Sequence, residues 1–443
     1  MNKKIENISG TIAALSSAKG MAGISVIRVS GKHTKEIFKK LTNKKPEHMR
    51  AIYTGFYSTN DLEIDKGVAL FFAGPNSYTG EDICELSVHG SPAIVGMMLD
   101  RVFELGARQA QPGEFTKRAY LNDKLDLTQA EAVADLIESV SIKTAMAAKR
   151  SLSGEFSNQV NKLLEDVIKI RALVEATLDF SDQDLDETKH PEALISATRE
   201  TKQSFQALIK QTRTGIRVRE GLVITILGKP NVGKSSLFNM ICGSDRAIVN
   251  SKAGTTRDVV SESITIDGFP IRVLDTAGIR EPEDEIEQEG IKRAIEARDS
   301  ADMVLEVLDA RDWTNEIHQT ENTLVFNKAD LLEGATKTDP KNAHIVSAKT
   351  GEGMNKLLDH ISSYFSESSD DETAITARKR HMRSIKEAYS AFCDAETGII
   401  KNKELDLVAE ELLQAQNSLA EVTGEFSTED LLEAIFNSFC IGK

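Results

Sequence analysis

Long apolar runs are missing from this sequence: no stretch approaches the roughly 18 apolar residues of a membrane span, so no transmembrane helix is expected. The start, Met1-Asn2-Lys3-Lys4-Ile5, soon turns polar and lacks the apolar core of a secretory signal. Cysteine is scarce. Cys84, Cys242, Cys393 and Cys440 lie far apart with no Cys-x-x-Cys pair, which argues against a disulfide framework or a zinc site and fits a reducing cytoplasm. Nine prolines, 40% hydrophobic and 28% charged residues are ordinary for a soluble globular chain and not for a low-complexity one. Positive charge is in deficit: a net charge of −15 argues against a broad nucleic-acid surface, though not a local one. At 443 residues the chain has room for two or three domains, each with its own core.

What is present is an ordered set of motifs. Gly228-Lys229-Pro230-Asn231-Val232-Gly233-Lys234-Ser235 is followed by Gly254-Thr255-Thr256-Arg257-Asp258 and by Asp275-Thr276-Ala277-Gly278. Asn327-Lys328-Ala329-Asp330 and Ser347-Ala348-Lys349 complete it. The first is a phosphate loop: glycine lets the backbone curl so that N–H groups face phosphate oxygens, and the following helix adds its positive dipole end. Lys234 is expected to reach the β- and γ-phosphates and Ser235 to ligate Mg²⁺. Asp275 is expected to act on the metal through water, and Gly278 to bring a backbone N–H to the γ-phosphate. Thr256 is the candidate switch residue. The carboxylate of Asp330 can accept both the N1–H and the 2-amino group of guanine; adenine offers neither donor, so the nucleotide is GTP.

One absence within the motifs matters. Ras-like enzymes place a water-orienting glutamine directly after Asp-x-x-Gly; here Ile279 stands there and cannot hydrogen-bond. Another polar group must serve. Glu281 to Glu289 offers candidates, of which the pattern alone singles out none, and a solvated acidic loop is the alternative. Asn231 has a side-chain carbonyl that suits either a monovalent cation or a loop-stabilising hydrogen bond.

Residues 1 to about 120 alternate strand-like runs (Ile24–Val29, Gly67–Phe72, Asp82–Val88) with helices and Gly/Pro turns, an α+β pattern. A helical period follows. Thr128-Gln129-Ala130-Glu131 is expected to be a capping box, and Phe156, Val160, Leu163, Val167, Ile170 and Val174 form a core stripe. Asp179 to Glu187 reads as a solvated loop before a helix opening at His190-Pro191. The helical pattern stops near Arg219 and resumes near Arg378, with a second stripe over Leu405, Val408, Leu412, Ala415, Leu419 and Val422 and a last helix capped at Ser427. Between them strands and helices alternate, with the nucleotide motifs at the C-terminal strand ends, where open α/β sheets bind ligands. A G domain inserted into a helical domain is expected. Arg378-Lys379-Arg380-His381 with Arg383 is a dense basic cluster, either a solvated helix start or a phosphate contact.

Further segments carry a resemblance. Thr11-Ile12-Ala13-Ala14 with Gly23–Gly31, Pro75–Asp82, Pro112–Thr116 with Leu121–Leu127, and the tail Phe439-Cys440-Ile441-Gly442-Lys443 resemble the bacterial tRNA wobble-uridine modification GTPase family, MnmE or TrmE. The resemblance spans essentially the whole chain. It implies an α+β folate-binding and dimerisation domain (1–121), an all-α helical domain in two parts (122–218 and 378–443) and an inserted Ras-like α/β P-loop G domain (219–377). It implies a homodimer that joins an FAD-containing partner of the MnmG family in a heterotetramer, without membrane. With that partner the family adds a (carboxymethyl)aminomethyl group to C5 of uridine 34 of certain tRNAs, drawing the carbon from 5-formyl- or 5,10-methylene-tetrahydrofolate.

Carried onto this sequence, the folate set is Arg28, Glu85, Lys124 and Lys443. Glu85 alternates with Cys84 and Leu86, so it lies opposite the apolar face, where a carboxylate suits the pterin 2-amino and N3–H edge. The GTP set is Asn231, Val232, Gly233, Lys234, Ser235, Ser236, then Asn250, Ser251, Lys252, Ala253, Gly254, Thr255, Thr256, then Asp275, Thr276, Ala277, Gly278, Asn327, Lys328, Asp330, Ser347, Ala348 and Lys349. Mg²⁺ is implied at Ser235 and Thr256, and K⁺ at Asn231, Asn250, Lys252 and Thr255. Glu287, nine residues after Gly278, matches the family's catalytic glutamate, and Lys234 is counted with it among the catalytic candidates. Cys440 is either a buried small hydrophobe or a reactive catalytic thiol. Two departures stand out: a short connection from Asp309 to Asn327 containing Trp313, and Pro282 in the switch segment. A GTP-switched ribosome-assembly factor is the competing reading, and it would have no use for a pterin site. A membrane-remodelling GTPase is disfavoured, since no basic amphipathic helix or lipid motif is present.

Overall fold

The computed structural model describes residues 10–179, 192–244, 247–249, 260–266, 269–275, 301–312, 322–332, 343–369, 374–401, 405–425 and 428–443. The chain forms two compact units, Met1–Ala134 with Gln416–Lys443, and Asp135–Ala415.

The first unit holds a six-stranded sheet of order β3-β4-β5-β2-β1-β6. Its strands are β1 (Thr11–Leu15), β2 (Ala22–Ser30), β3 (Ile52–Tyr57), β4 (Glu63–Phe72), β5 (Ile83–Gly90) and β6 (Ala107–Gln109). All pairings are antiparallel except β1 with β6. Alternation works as expected: Cys84, Leu86 and Val88 of β5 are buried while Glu85 and Ser87 face the other way. The buried face packs on Ile37, Phe38 and Leu41 of α1 (Thr34–Thr42) and on Val95, Met98 and Val102 of α2 (Pro92–Glu104). Burial pushes the Cys84 thiol well up, which keeps it inert. On the opposite side Ile12, Ala14 and Ala110 gather around Phe115 of α3 (Glu114–Leu121).

The capping box lies two residues upstream of the expected place. Asp126 Oδ1 accepts from the Gln129 N–H at 2.9 Å, and Gln129 Oε1 accepts from the Asp126 N–H at 3.0 Å. Asp126 therefore caps α4 (Leu127–Glu138), and the Thr128 hydroxyl donates to that same carboxylate at 2.6 Å. Aspartate wins because it brings an anion to the helix N-terminus.

Among the described residues of the second unit the α-helices are α5 (Ile142–Leu152), α6 (Glu155–Asp179), α7 (Glu192–Glu220), α8 (Lys234–Cys242), α9 (Met354–Ser369) and α10 (Lys379–Ile400); α4 ends and α11 (Leu405–Thr423) begins there. The whole α6 stripe from Phe156 to Val174 is buried. Phe205 of α7 stacks against Phe392 and Tyr389 of α10 with centroids 5.1 and 5.6 Å apart. Asp179 is the last residue of α6; 180–187, His190 and Pro191 lie outside the described residues.

Between α7 and α10 runs a seven-stranded sheet of order β13-β12-β11-β7-β10-β9-β8. Its strands are β7 (Leu222–Gly228), β8 (Ala247–Val249), β9 (Val260–Ile266), β10 (Phe269–Asp275), β11 (Met303–Asp309), β12 (Thr323–Asn327) and β13 (Ala343–Ile345). The five strands from β13 to β10 are parallel, and β9 and β8 add antiparallel edges. Ile224, Ile226, Val273, Leu305 and Val307 fill the core with Leu237 and Ile241 of α8 and Leu357 and Ile361 of α9. The insertion is as expected. The basic cluster divides: Arg378 pairs with the buried Asp135 and His381 is buried against Phe156, while Lys379 and Arg383 are solvated at the helix start, with surface pairs to Glu220 and Glu387.

Candidate functional site

The described parts of the nucleotide motifs lie at the C-terminal ends of β7, β10, β12 and β13. β7 runs into the phosphate loop at Gly228, and Gly233 caps α8 with φ +94°. A side chain at Gly233 would be strained on two grounds: the left-handed backbone, and the Asn327 amide nitrogen, which an added Cβ would meet at 2.3 Å and displace. That amide donates to the Val232 carbonyl at 3.0 Å, while Asn327 Oδ1 accepts from the Ala348 N–H at 2.9 Å. Asn327 thus ties three motifs together. Lys328 has φ +68°; its ammonium donates to the Asn231 carbonyl at 2.7 Å and to Asp309 Oδ2 at 3.0 Å.

Asp330 Oδ1 accepts from the buried Ser347 hydroxyl at 2.7 Å, which fixes the carboxylate expected to read guanine. Lys349 follows, exposed. Lys234 opens α8 and donates back to the Gly228 and Lys229 carbonyls at 2.9 and 3.0 Å. Ser235 and Ser236 are exposed in the same first turn, where the helix dipole favours anions. Asp275 ends β10, in register with Ile226 of the adjacent β7. Asn250, Ser251, Lys252, Ala253, Gly254, Thr255, Thr256, Thr276, Ala277, Gly278 and Glu287 lie outside the described residues, as do Ile279, Pro282 and Trp313.

A second cluster sits in the first unit. Arg28 on β2 and Glu85 on β5 are partners in the strand register, and the guanidinium donates to Glu85 Oε1 at 2.8 and 3.0 Å. The Arg28 guanidinium also lies 5.5 Å from the Tyr78 ring centroid and 5.7 Å from that of Phe115. The Tyr78 hydroxyl meets that of Thr116 at 2.9 Å, and burial raises its phenol.

The C-terminal tail reaches the same place. After α12 (Glu429–Phe436) the Cys440 carbonyl accepts from the Gly113 N–H at 3.4 Å, and Ile441 bridges Pro112. Gly442 has φ +102°, an added Cβ there would lie 2.1 Å from the Leu15 carbonyl oxygen, and Ser16 donates to the Gly442 carbonyl at 3.1 Å. Lys443 follows, half-buried; burial and the nearby Arg28 lower its ammonium, while Glu85 opposes them. Arg28, Glu85 and Lys443 are therefore brought together. Lys124 lies beside Gly80.

Two expectations need correction. The last residues of the tail dock on β1 and the segment before α3, while α12, with Phe439, packs on Leu127 and Ala130 of the helical stretch together with Tyr120, as expected. Its cap is Thr428, whose hydroxyl accepts from the Leu431 N–H at 3.3 Å; Ser427 lies outside the described residues. Cys440 is exposed and not a buried hydrophobe.

Sequence reasoning missed the buried support beneath this cluster. Arg118, 2% exposed, donates to Glu81 at 2.8 Å and to Glu114 at 2.9 Å, and Glu114 also receives Arg108 at 2.6 Å. Burial alone would push Glu114 up, but hydrogen bonds from Arg108, the Gln111 backbone and Arg118 hold its carboxyl below the ordinary range. Glu81 in turn accepts from Ser30, which meets the Thr79 hydroxyl at 2.8 Å. The loop carrying Tyr78 is thus pinned on α3. Among the described residues there is no His/Cys/Asp/Glu cluster suited to a metal and no helix long and apolar enough to cross a membrane.

The family described as GTP-binding protein TrmE N-terminus matches residues 11–124, and that described as MnmE helical domain matches residues 127–440. The tRNA modification GTPase MnmE of Chromobacterium violaceum is 43% identical over 446 residues, covering 98% of each chain. That of Pseudomonas aeruginosa is 41% identical over 452 residues, covering 98% of this chain and 99% of its own. That of Ruthia magnifica is 43% identical over 443 residues, again covering 98% and 99%. The G domain of the T. maritima FeoB iron transporter is 22% identical and covers 32% of this chain and 98% of its own, with a TM-score of 0.23, too low to bear on the fold. The chain belongs to the MnmE, or TrmE, family of tRNA modification GTPases.

Proposed function

We propose that this GTPase, with an FAD-containing partner of the MnmG family, adds a (carboxymethyl)aminomethyl group to C5 of uridine 34 of certain tRNAs. The observation that carries the reading is the Arg28–Glu85 pair with Lys443 of the tail beside it. A carboxylate opposite a guanidinium suits the donor edge of a pterin, and aromatic faces at Tyr78 and Phe115 suit its plane. A bound tetrahydrofolate would supply the one-carbon unit; this chain's residues would orient its ring. Lys124 completes the proposed set.

The domain reading (1–121, 122–218 with 378–443, 219–377), the homodimer and the heterotetramer belong to the same proposal. At the nucleotide, Ser235 in the first turn of α8 suits Mg²⁺, with Thr256 as its proposed second ligand. Asn231 is exposed in the phosphate loop, and its side-chain carbonyl suits K⁺ with Asn250, Lys252 and Thr255. Potassium would supply the charge that an arginine finger gives elsewhere, so sodium should not support the same turnover. Glu287 is the proposed water-positioning base.

Nucleoside analysis of tRNA from a strain lacking the protein tests the reading. Loss of a C5-substituted wobble uridine is expected. Intact nucleosides with accumulating ribosomal precursors would favour the assembly-factor alternative, against which the tail cluster speaks.

A further inference from the structure

Asp309 is the last residue of β11, and none of the nucleotide motifs contains it. Its side chain is only 10% exposed, yet it is wrapped in donors: Arg311 Nε at 2.9 Å, Arg311 Nη2 at 2.7 Å, the Arg311 backbone N–H at 3.1 Å and Lys328 Nζ at 3.0 Å. Lys328 spends a second donor on the Asn231 carbonyl at 2.7 Å. A lysine ammonium on a four-carbon stem loses much rotamer freedom when held in one place. It stays because a carboxylate waits on one side and a phosphate-loop carbonyl on the other.

We infer that Asp309 is a positioning residue for guanine-nucleotide binding: it holds the Lys328 ammonium on the Asn231 carbonyl and so couples the base-reading segment to the phosphate loop. Lys328 lies between Asn327, which clamps Val232, and the base-reading Asp330. Its own left-handed backbone turns its side chain across the loop. Asn327 fixes the loop at Val232; the Asp309–Lys328 pair fixes it one residue earlier. Take the carboxylate away and Lys328 faces the cationic Arg311 with no anion between them, so the second tether is lost. Arg311 itself is 59% exposed, and among the described residues its guanidinium bonds only to Asp309, which its backbone N–H and Lys328 also hold.

The test is a double-mutant cycle on the full chain with a fluorescent GDP analogue as probe. Asp309→Asn, which keeps the shape, should raise the dissociation constant about tenfold, the weight of one hydrogen bond to a charged group. The KM for GTP should rise with it while kcat at saturation holds, a split that a general loss of structure would not give. In a Lys328→Met background the same substitution should cost nothing further. Arg311→Ala, at an exposed site, should leave GDP affinity at or above its starting value, because the backbone N–H of residue 311 and Lys328 still hold the carboxylate. Equal losses from Asp309→Asn with and without Lys328 would overturn the inference, as would wild-type affinity in Asp309→Asn. A drop in Arg311→Ala would also overturn it by making Arg311 the working group, and this variant decides the matter even if Asp309→Asn does not fold.

Discussion

Arg219 and Arg378 share one acceptor: Nε of the first and Nη2 of the second both donate to Oδ1 of Asp135 at 2.8 Å. Arg219 is the penultimate residue of α7, where the chain leaves for the seven-stranded sheet, and Arg378 is the residue on which it returns to α10. The Asp135 side chain is 4% exposed. Ser151 of α5 repeats the theme, accepting from the Thr376 N–H at 2.9 Å and donating to its carbonyl at 3.1 Å. The two ends of the insert are thus stapled to one helical body.

Asp135→Ala should therefore destabilise the chain by about 3 kcal/mol or more, since it strands two guanidiniums around a lost, buried carboxylate. Asp135→Asn, which keeps an acceptor, should cost less. Urea unfolding followed by circular dichroism reads both, and equal stability of the alanine variant and the parent would show the staple to be ornamental.

Asp330→Asn should weaken guanine binding and relax base selection. An amide presents one acceptor where the base edge needs two, and it turns a donor toward the base. The Ser347 hydroxyl that now donates to Asp330 can still hold the side chain in place, so the loss is one of recognition and not of folding. Competition between GTP and ATP for the fluorescent GDP site measures this; undiminished discrimination would speak against Asp330 as the base reader.

Glu114 gives the first unit an acid limb. Its folded carboxyl titrates below the ordinary 4.5 because the hydrogen bonds of Arg108, Gln111 and Arg118 outweigh its burial. A depressed carboxylate contributes stability that is present above about pH 4.5 and is lost as pH falls through the lower, folded value. Glu114→Gln should lower stability at neutral pH and flatten that limb. Thermal melts of parent and variant between neutral pH and acid follow it, and parallel curves would mean that the proton goes elsewhere.

Much of the fold was legible because its signals are local. Cys84, Glu85 and Leu86 alternate, and the Phe156–Val174 stripe keeps helical spacing, so strand and helix declare themselves within a few residues. The caps slipped by one or two residues because Asp126 and Thr128, or Ser427 and Thr428, are equally good cappers on paper. What stayed hidden is long-range. Arg118 sits on a short helix among polar neighbours and reads as solvated, and only the fold brings Glu81 beneath it. Asp309 reads as an ordinary strand end until β12 delivers Lys328. Tyr78 was visible only as part of a resemblance; its place beside Arg28 depends on a loop pinned by charges that no local pattern pairs.

The tail offers the sharpest test of the proposed folate site. Gly442 combines a left-handed φ of +102° with a Leu15 carbonyl only 2.1 Å from where a Cβ would stand, so any side chain must lift the tail from β1. Lys443 would leave the neighbourhood of Arg28 and Glu85 with it. Gly442→Ala should thus weaken binding of 5-formyl-tetrahydrofolate and stop tRNA modification, and removal of Cys440–Lys443 should do the same more completely. GTP turnover should persist in both, because every nucleotide motif lies in the other unit. The α12 helix should also survive, since Leu432, Ile435, Phe436 and Phe439 remain buried against Tyr120 and Leu127. Calorimetric folate binding, wobble-uridine analysis and GTP hydrolysis on the same preparations separate the outcomes. Full folate affinity in the truncated chain would remove Lys443 from the site and leave Arg28 and Glu85 to hold the pterin alone.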